Sequence, residues 1–313
     1  MPQTTEHPFE SEYHNPVMVA EVLRLFVGAQ QVLDCTLGGG GHALALLQAG
    51  ARVTGVDRDP AAIEQSEQRL RDYAEDGRFR AVRGDFTQLD ELQSVRGETF
   101  DGILADLGVS SAQIDSDERG FSFRPGVPLD MRMSGEGRTA ADLLNTAPVD
   151  ELSRIFADFG DEPRSRRLAA EVVRRRSTRH FVISDDLVGA IRGTFGAMAG
   201  PSDFARLFQA LRIAVNEELA GLARVLPVLR DMLEPGGTLA IIAYHSGEDR
   251  LVKHAMRSWS VACHCPPRQP ICTCGGTAFG SLVTKRSVQA DAEETARNTR
   301  ARSARLRAWR KSP

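Results

Sequence analysis

Four consecutive glycines, Gly38 to Gly41, constrain this chain more than any other feature. Val32 and Leu33 lead into Asp34 just before them. His42 and an Ala/Leu-rich run to Leu47 follow, with Gly50 as a helix stop. Arg52 to Val56 reads as a second short strand that delivers Asp57. Strand, glycine turn, helix, strand and acid make the first half of a nucleotide-binding α/β unit. Glycine tolerates positive φ and lets a ligand approach bare backbone. A helix starting near His42 aims unpaired N–H groups at that ligand, and Asp57 is placed to accept from ribose hydroxyls. The stretch specifies an adenosine-type cofactor without choosing one. Gly38, Gly40 and Ala43 also satisfy G-x-G-x-x-A, with Asp57 about twenty residues on, so a nicotinamide dinucleotide and S-adenosylmethionine both fit.

The α/β rhythm continues. Pro60 suits the first turn of a helix over Ala61 to Tyr73. Phe79 to Val82 is a third strand, followed by Gly84-Asp85-Phe86. Phe100 to Leu107 is a fourth, with the near-continuous apolar character of a buried parallel strand. The expected order, β-α-β-α-β-α-β, predicts a doubly wound sheet. Asp34, Asp57, Asp85 and Asp106 all fall at the carboxyl ends of strands, where such a sheet opens its ligand crevice. Helix capping and turn chemistry compete for each of them. Asp85-Phe86 suits an adenine. His245 follows a fifth strand, Thr238 to Tyr244, and faces the same crevice edge, with Ser246, Glu248, Asp249 and Arg250 behind it.

Between the fourth and fifth strands the pattern changes. Ser110 to Met133 is loop-like and too long for a connection without function. Helical patterns follow with no strand between them. Thr139 caps Ala140 to Asn145, Pro148 opens a helix to Phe159, Glu162 to Arg176 is amphipathic, and Ser184 caps a helix through Ile191. The longest begins near Asp203, with Phe204, Leu207, Leu211, Val215, Leu219 and Leu222 on one stripe. Gln209, Arg212 and Asn216 share another stripe, open to polar work. A helical insertion thus interrupts the nucleotide-binding domain.

Apolar content of 42% and charged content of 26% are ordinary for a globular protein. The N-terminus is acidic and lacks an apolar core, so no signal peptide is expected. No apolar run approaches the ~20 residues of a membrane span, and the expected location is cytoplasmic. Cys263, Cys265, Cys272 and Cys274 read as reduced thiols or as four zinc ligands, at a C-x-C spacing tighter than usual, and no metal is assigned. A net charge of −3 argues against indiscriminate nucleic-acid binding. Yet Arg164, Arg166, Arg167, Arg174, Arg175, Arg176 and Arg179 crowd together. The tail carries Arg297, Arg300, Arg302, Arg305, Arg307, Arg310 and Lys311 with no acid among them. Such runs are solvated faces or grips for a phosphate backbone.

Several longer runs resemble the RsmH (MraW) family of S-adenosylmethionine-dependent methyltransferases. They are His14-Asn15-Pro16-Val17, Gly38 to His42, Asp57 to Pro60, DGILADLGVSSAQID from Asp101, RGFSF from Arg119 and PLDMRM from Pro128. FQALRIAVNEEL from Phe208, YHSGEDRLVK from Tyr244 and RARSARLR from Arg300 extend the likeness. The sequence departs from the family at Tyr244, Gly247, Asp161, Ser202-Asp203 and Thr299, none of them a cofactor position. The resemblance implies a Rossmann-like methyltransferase sheet over residues 1–112 and 218–313, with an inserted helical substrate-recognition domain over 113–217. It implies methylation of the exocyclic N4 of a cytosine (position 1402 in the usual numbering) in 16S ribosomal RNA of the small subunit. It also implies cofactor contacts at Gly40, Gly41, His42, Asp57, Phe86, Asp106 and Gln113. A homodimer is carried as an option. A nicotinamide-dependent oxidoreductase and a non-catalytic RNA-binding assembly factor are the alternatives.

For the chemistry, Asp106 is the expected acceptor for an N4 hydrogen, since the amine's lone pair must be freed from the ring and aimed at the methyl. Tyr244 and His245 on the neighbouring strand end complete the expected pocket, with His245 as a second catalytic residue. Phe121 or Phe123 is the expected stacking partner for an extruded base.

Overall fold

The computed structural model describes residues 9, 16–108, 116–263, 265–266, 269, 271, 273 and 276–313. The chain divides into two compact units, one of residues 1–108 with 219–313 and the other of residues 109–218.

The first unit is built on a seven-stranded sheet in the order β3-β2-β1-β4-β5-β7-β6. The strands are β1 (Gln31–Asp34), β2 (Arg52–Asp57), β3 (Phe79–Arg83), β4 (Phe100–Asp106), β5 (Leu233–Ala243), β6 (Gly280–Leu282) and β7 (Arg305–Lys311). β1 to β5 run parallel, and β7 is antiparallel to both its neighbours. The order reverses between β1 and β4, so their carboxyl ends splay apart and open a crevice there.

The continuous apolar runs have a direct cause. Successive side chains of a strand point to opposite faces, and here both faces are covered. Leu33, Ile103, Leu239 and Ile241 enter one core, and Val32, Leu104, Ala240 and Ile242 enter the other. Helices α1 (Val19–Leu25), α2 (Gly41–Gln48), α3 (Pro60–Arg69) and α4 (Arg71–Glu75) precede β3. The third helix expected between β3 and β4 does not form. A 3-10 turn at Phe86–Gln88, capped by Asp85, and further turns bury Leu89 and Val95 instead.

The basic tail is also not a loose end. Arg305–Lys311 forms β7, between β5 and β6, where Arg307 clamps Asp249 at 2.7 and 3.0 Å. Lys311 Nζ donates to the Asp231 and Leu233 carbonyls at 3.1 and 2.6 Å.

The second unit contains α5 (Ala140–Thr146), α6 (Val149–Arg154), α7 (Ser165–Arg176), α8 (Ser184–Phe195) and α9 (Pro201–Val215). Thr139 and Asp142 cap α5 reciprocally, as S/T-x-x-acid patterns do. The helix expected to run from Asp203 past Leu222 breaks at Asn216 and Glu217, the latter at φ 49°. A new helix, α10 (Glu218–Asp231), starts beyond it. Phe204, Leu207 and Leu211 fill the core of the second unit, while Leu222 belongs to the first. The polar stripe is structural as well: Arg212 clamps Glu218, and Asn216 bonds Met131 and Met133 of the long loop. Phe123 meets Phe204 and Phe208 edge to face at 6.0 and 6.1 Å, and Phe121 packs on the same core. Both residues, one or other of which was the expected stacking partner for a base, are half-buried against this core.

The remaining helices of the first unit are α11 (Ser246–Trp259) and α12 (Ala292–Arg297). Among the described residues no helix is long and apolar enough to cross a membrane.

Candidate active site

The site grows from the end of β1. Asp34 is buried, and one carboxylate oxygen accepts from the Thr36 N–H at 3.1 Å. The other, Oδ2, is buried with no hydrogen-bond partner. Burial lifts the Asp34 carboxyl to about 6, against the opposing pull of His42. An unpartnered buried carboxylate oxygen is costly, and its place beside a glycine turn fits a ligand that brings a cation or a donor.

The turn itself is shaped by its glycines. Gly40, at φ 71°, forms the N-cap of α2 without offering a side chain. A Cβ on Gly41 would fall 2.8 Å from Pro16 Cγ and 2.9 Å from the Phe9 carbonyl oxygen. Only bare backbone fits against this preceding segment, and the first N–H groups of α2 have no acceptor within the helix itself.

Asp57, at the end of β2, takes hold of this turn. Its Oδ2 accepts from Gly38 N–H at 2.8 Å and its Oδ1 from Asp59 N–H at 2.9 Å. Burial raises its carboxyl, with both backbone bonds opposing. Each oxygen keeps a second lone pair for a ribose hydroxyl. Asp85 does the capping work that competed for it, accepting from Thr87 N–H at 2.8 Å. Phe86 is half-buried and packs on the core beside it.

Asp106 ends β4, and Tyr244 follows β5, its hydroxyl donating to Asp106 Oδ1 at 2.8 Å. Burial, then the Asp106 charge, pushes the Tyr244 hydroxyl well above its ordinary range, so it stays a donor. The other Asp106 oxygen faces His42 Nδ1 at 3.9 Å, and His42 Nε2 lies 2.9 Å from the Val17 carbonyl oxygen. Asp34, His42, Asp57, Asp106 and Tyr244 thus belong to one strand-end cluster.

His245 has a structural task at the strand end. It is the N-cap of α11: its Nδ1 accepts from Gly247 and Glu248 N–H groups at 3.2 and 3.4 Å. Its Nε2 lies 3.1 Å from Glu248 Oε1. Gln113, Cys272 and Cys274 lie outside the described residues.

Asp34 was legible as one of four strand-end acids, but its unpartnered oxygen was not, because burial without a partner has no sequence signature. The link from Tyr244 to Asp106 had one signal, two polar residues ending adjacent parallel strands.

A doubly wound sheet with a glycine turn and carboxylates at the switch point defines a Rossmann-like enzyme for an adenosine-type cofactor. The profile of the MraW methylase family matches residues 11–312. A "Ribosomal RNA small subunit methyltransferase H" of Gemmatimonas aurantiaca is 56% identical over 299 residues, 95% of each chain. Proteins of the same name from Anaeromyxobacter sp. (strain K) and Myxococcus xanthus are 47% and 43% identical. They cover 95% and 94% of this chain and 97% and 96% of their own. The chain belongs to the MraW methylase family. It is an S-adenosylmethionine-dependent methyltransferase, and the nicotinamide alternative is set aside.

Proposed function

We propose that the chain methylates the exocyclic N4 of a cytosine in 16S ribosomal RNA, with the small ribosomal subunit as its partner. The observation that carries this reading is the Asp106–Tyr244 pair at the adjacent ends of β4 and β5. The relatives' names, which specify small-subunit ribosomal RNA, supply the substrate class.

S-adenosylmethionine supplies an electrophilic methyl on a positively charged sulfur. The residues that would hold it are Gly40, Gly41 and His42 at the start of α2, Asp57 for the ribose, Phe86 for the adenine, and Asp106, with Gln113 kept from the family resemblance. Asp34 joins them, since its unpartnered oxygen suits the ammonium of the methionine portion. The amine of cytosine is a poor nucleophile because its lone pair is delocalised into the ring. A carboxylate accepting one N4 hydrogen localises that pair and offsets the positive charge that develops on nitrogen. Tyr244 holds Asp106 by one oxygen and so fixes its direction. His245 enters as a positioning residue, fixing the start of α11 one residue beyond Tyr244. The helical unit is assigned to substrate recognition.

The test is transfer of labelled methyl to small subunits lacking the modification, followed by nuclease digestion and mass analysis of the nucleosides. N4-methylcytidine is the expected product. A methyl on any other atom, or none with wild-type enzyme, sinks the assignment.

A further inference from the structure

The segment just before α1 matched the family pattern without acquiring a role, and it lies directly on the glycine turn. The pyrrolidine of Pro16 and the carbonyl of Phe9 occupy the space a side chain on Gly41 would need. The Val17 carbonyl oxygen meets His42 Nε2 at 2.9 Å. A carbonyl only accepts, so Nε2 carries the hydrogen and the ring is held with Nδ1 toward Asp106.

The segment has its own anchor. Met18 adopts a left-handed conformation, φ 58° and ψ 36°, at the N-cap of α1, which no side chain of its own caps. Non-glycine residues hold such a conformation only where surroundings enforce it. Here the Met18 side chain is fully buried, and its N–H donates at 2.6 Å to Glu294 Oε1 on α12, which lies 276 residues further along the chain. A cavity of about 390 Å³ beside this contact is lined by Pro16, Val19, Arg24, Glu294 and Arg297. Val17 and Met18 are anchored in the core on the strap's inner side, and on the cavity side the Glu294 bond is what holds its backbone.

We infer that Glu294 is a positioning residue for the methyl-donor site: it latches the Pro16–Met18 strap, whose Val17 carbonyl orients His42 and whose Pro16 braces Gly41. A turn braced before binding loses less freedom on binding, so the latch appears as cofactor affinity. The inference rests on the reading of Gly40 to His42 as the cofactor turn.

The experiment is a double-mutant cycle read by calorimetric titration of the full chain with S-adenosylhomocysteine. Glu294→Ala is expected to weaken binding about tenfold in the wild-type background and less than twofold in the His42→Ala background. Glu294→Gln keeps an acceptor oxygen and is expected to recover most of the affinity, which also controls for misfolding. The ¹⁵N resonances of the His42 ring should report one fixed Nε2–H tautomer in wild type and Glu294→Gln, and tautomer averaging in Glu294→Ala. An equal loss from Glu294→Ala in both backgrounds, or no loss at all with an unaltered ring spectrum, overturns the inference while leaving the cofactor turn standing. Unchanged binding by both His42→Ala and Asp57→Ala overturns the cofactor turn itself, and the latch with it.

Discussion

Two pairs of carboxylates, Glu162 and Glu171 in the helical unit and Asp34 and Asp57 in the sheet unit, face opposite fates. In the helical unit they are matched to arginines. Glu171 holds Arg174 through two bonds and Arg175 through a third, which brings its carboxyl down to about 2. Burial alone would raise Glu162, but Arg206 and Arg164 outweigh it and hold it below the usual range. In the sheet unit, Asp34 and Asp57 are raised by burial and have no arginine clamp. Groups whose surroundings favour the charged form are satisfied scaffolding. Groups kept costly in the folded chain are candidates for a ligand that relieves the cost. The difference sets Asp34 and Asp57 apart from the clamped acids of their own unit, such as Asp249 under Arg307, as well as from those of the helical unit.

The largest expected effect breaks that contrast at Asp34. The folded chain keeps its proton up to about pH 6, the unfolded chain only to about 3.8. The folded state therefore binds more protons between these values, and stability falls as pH rises through that window. On the order of 3 kcal/mol is lost by pH 7. Asp34→Asn removes the charge at nearly constant shape. In ligand-free protein it should unfold at higher urea than wild type at pH 8, with the gap closing toward pH 4. Equal midpoints at pH 8 would mean that Asp34 is satisfied after all.

Asp106→Asn comes next. It keeps shape and an acceptor oxygen but removes the charge, and single-turnover methylation by saturated enzyme should slow about a hundredfold. A rate within about threefold of wild type would leave Asp106 a binding residue only. Asp57→Ala removes an acceptor of charge-assisted bonds worth roughly 1.5–3 kcal/mol, so S-adenosylmethionine should bind about ten- to a hundredfold more weakly. An unchanged dissociation constant would take Asp57 out of the site.

How much of this the sequence carried depended on whether a feature was local. Val32 to Asp57 fold as their pattern dictates, because strand, turn and helix signals there agree with the sheet that receives them. The tail misled because its charges were counted and the apolar residues between them were not. Leu306 and Trp309 are buried in the two separate cores, between exposed Arg305 and Arg310, so this short strand is covered on both faces at its centre. The apolar stripe from Phe204 to Leu222 keeps helical spacing across Glu217, yet its two halves feed different cores. No periodicity marks a boundary between units. His245 caps a helix, a task that its polar neighbourhood did not separate from a catalytic one in one dimension.

The smallest effect concerns the arginines, where the comparison can be drawn within one helix and the turn that follows it. Arg176 is committed, donating to the Leu144 and Ala147 carbonyls at 2.9 and 2.7 Å. Those are the last turn of α5 and its cap, whose carbonyls have no helical partner. Arg174 and Arg179 keep 67% and 77% of their side chains exposed, beside a cavity of about 440 Å³ also lined by Arg175 and Thr178. Arg174 is held by two bonds to Glu171 and Arg179 lies 3.4 Å from Asp186, so a phosphate at this face has to compete with both acids for guanidinium groups that remain open to solvent. If both arginines meet the ribosomal RNA backbone, each neutralisation should flatten the salt dependence of binding by roughly 0.7–0.9 in log–log slope. Arg174→Gln with Arg179→Gln should therefore lower the slope by about twice that. Arg176→Gln should leave the slope alone and lower the stability of the helical unit. An identical slope in all three proteins would return Arg174 and Arg179 to the surface of a satisfied scaffold, and the basic grip on RNA would have to be sought elsewhere in the chain.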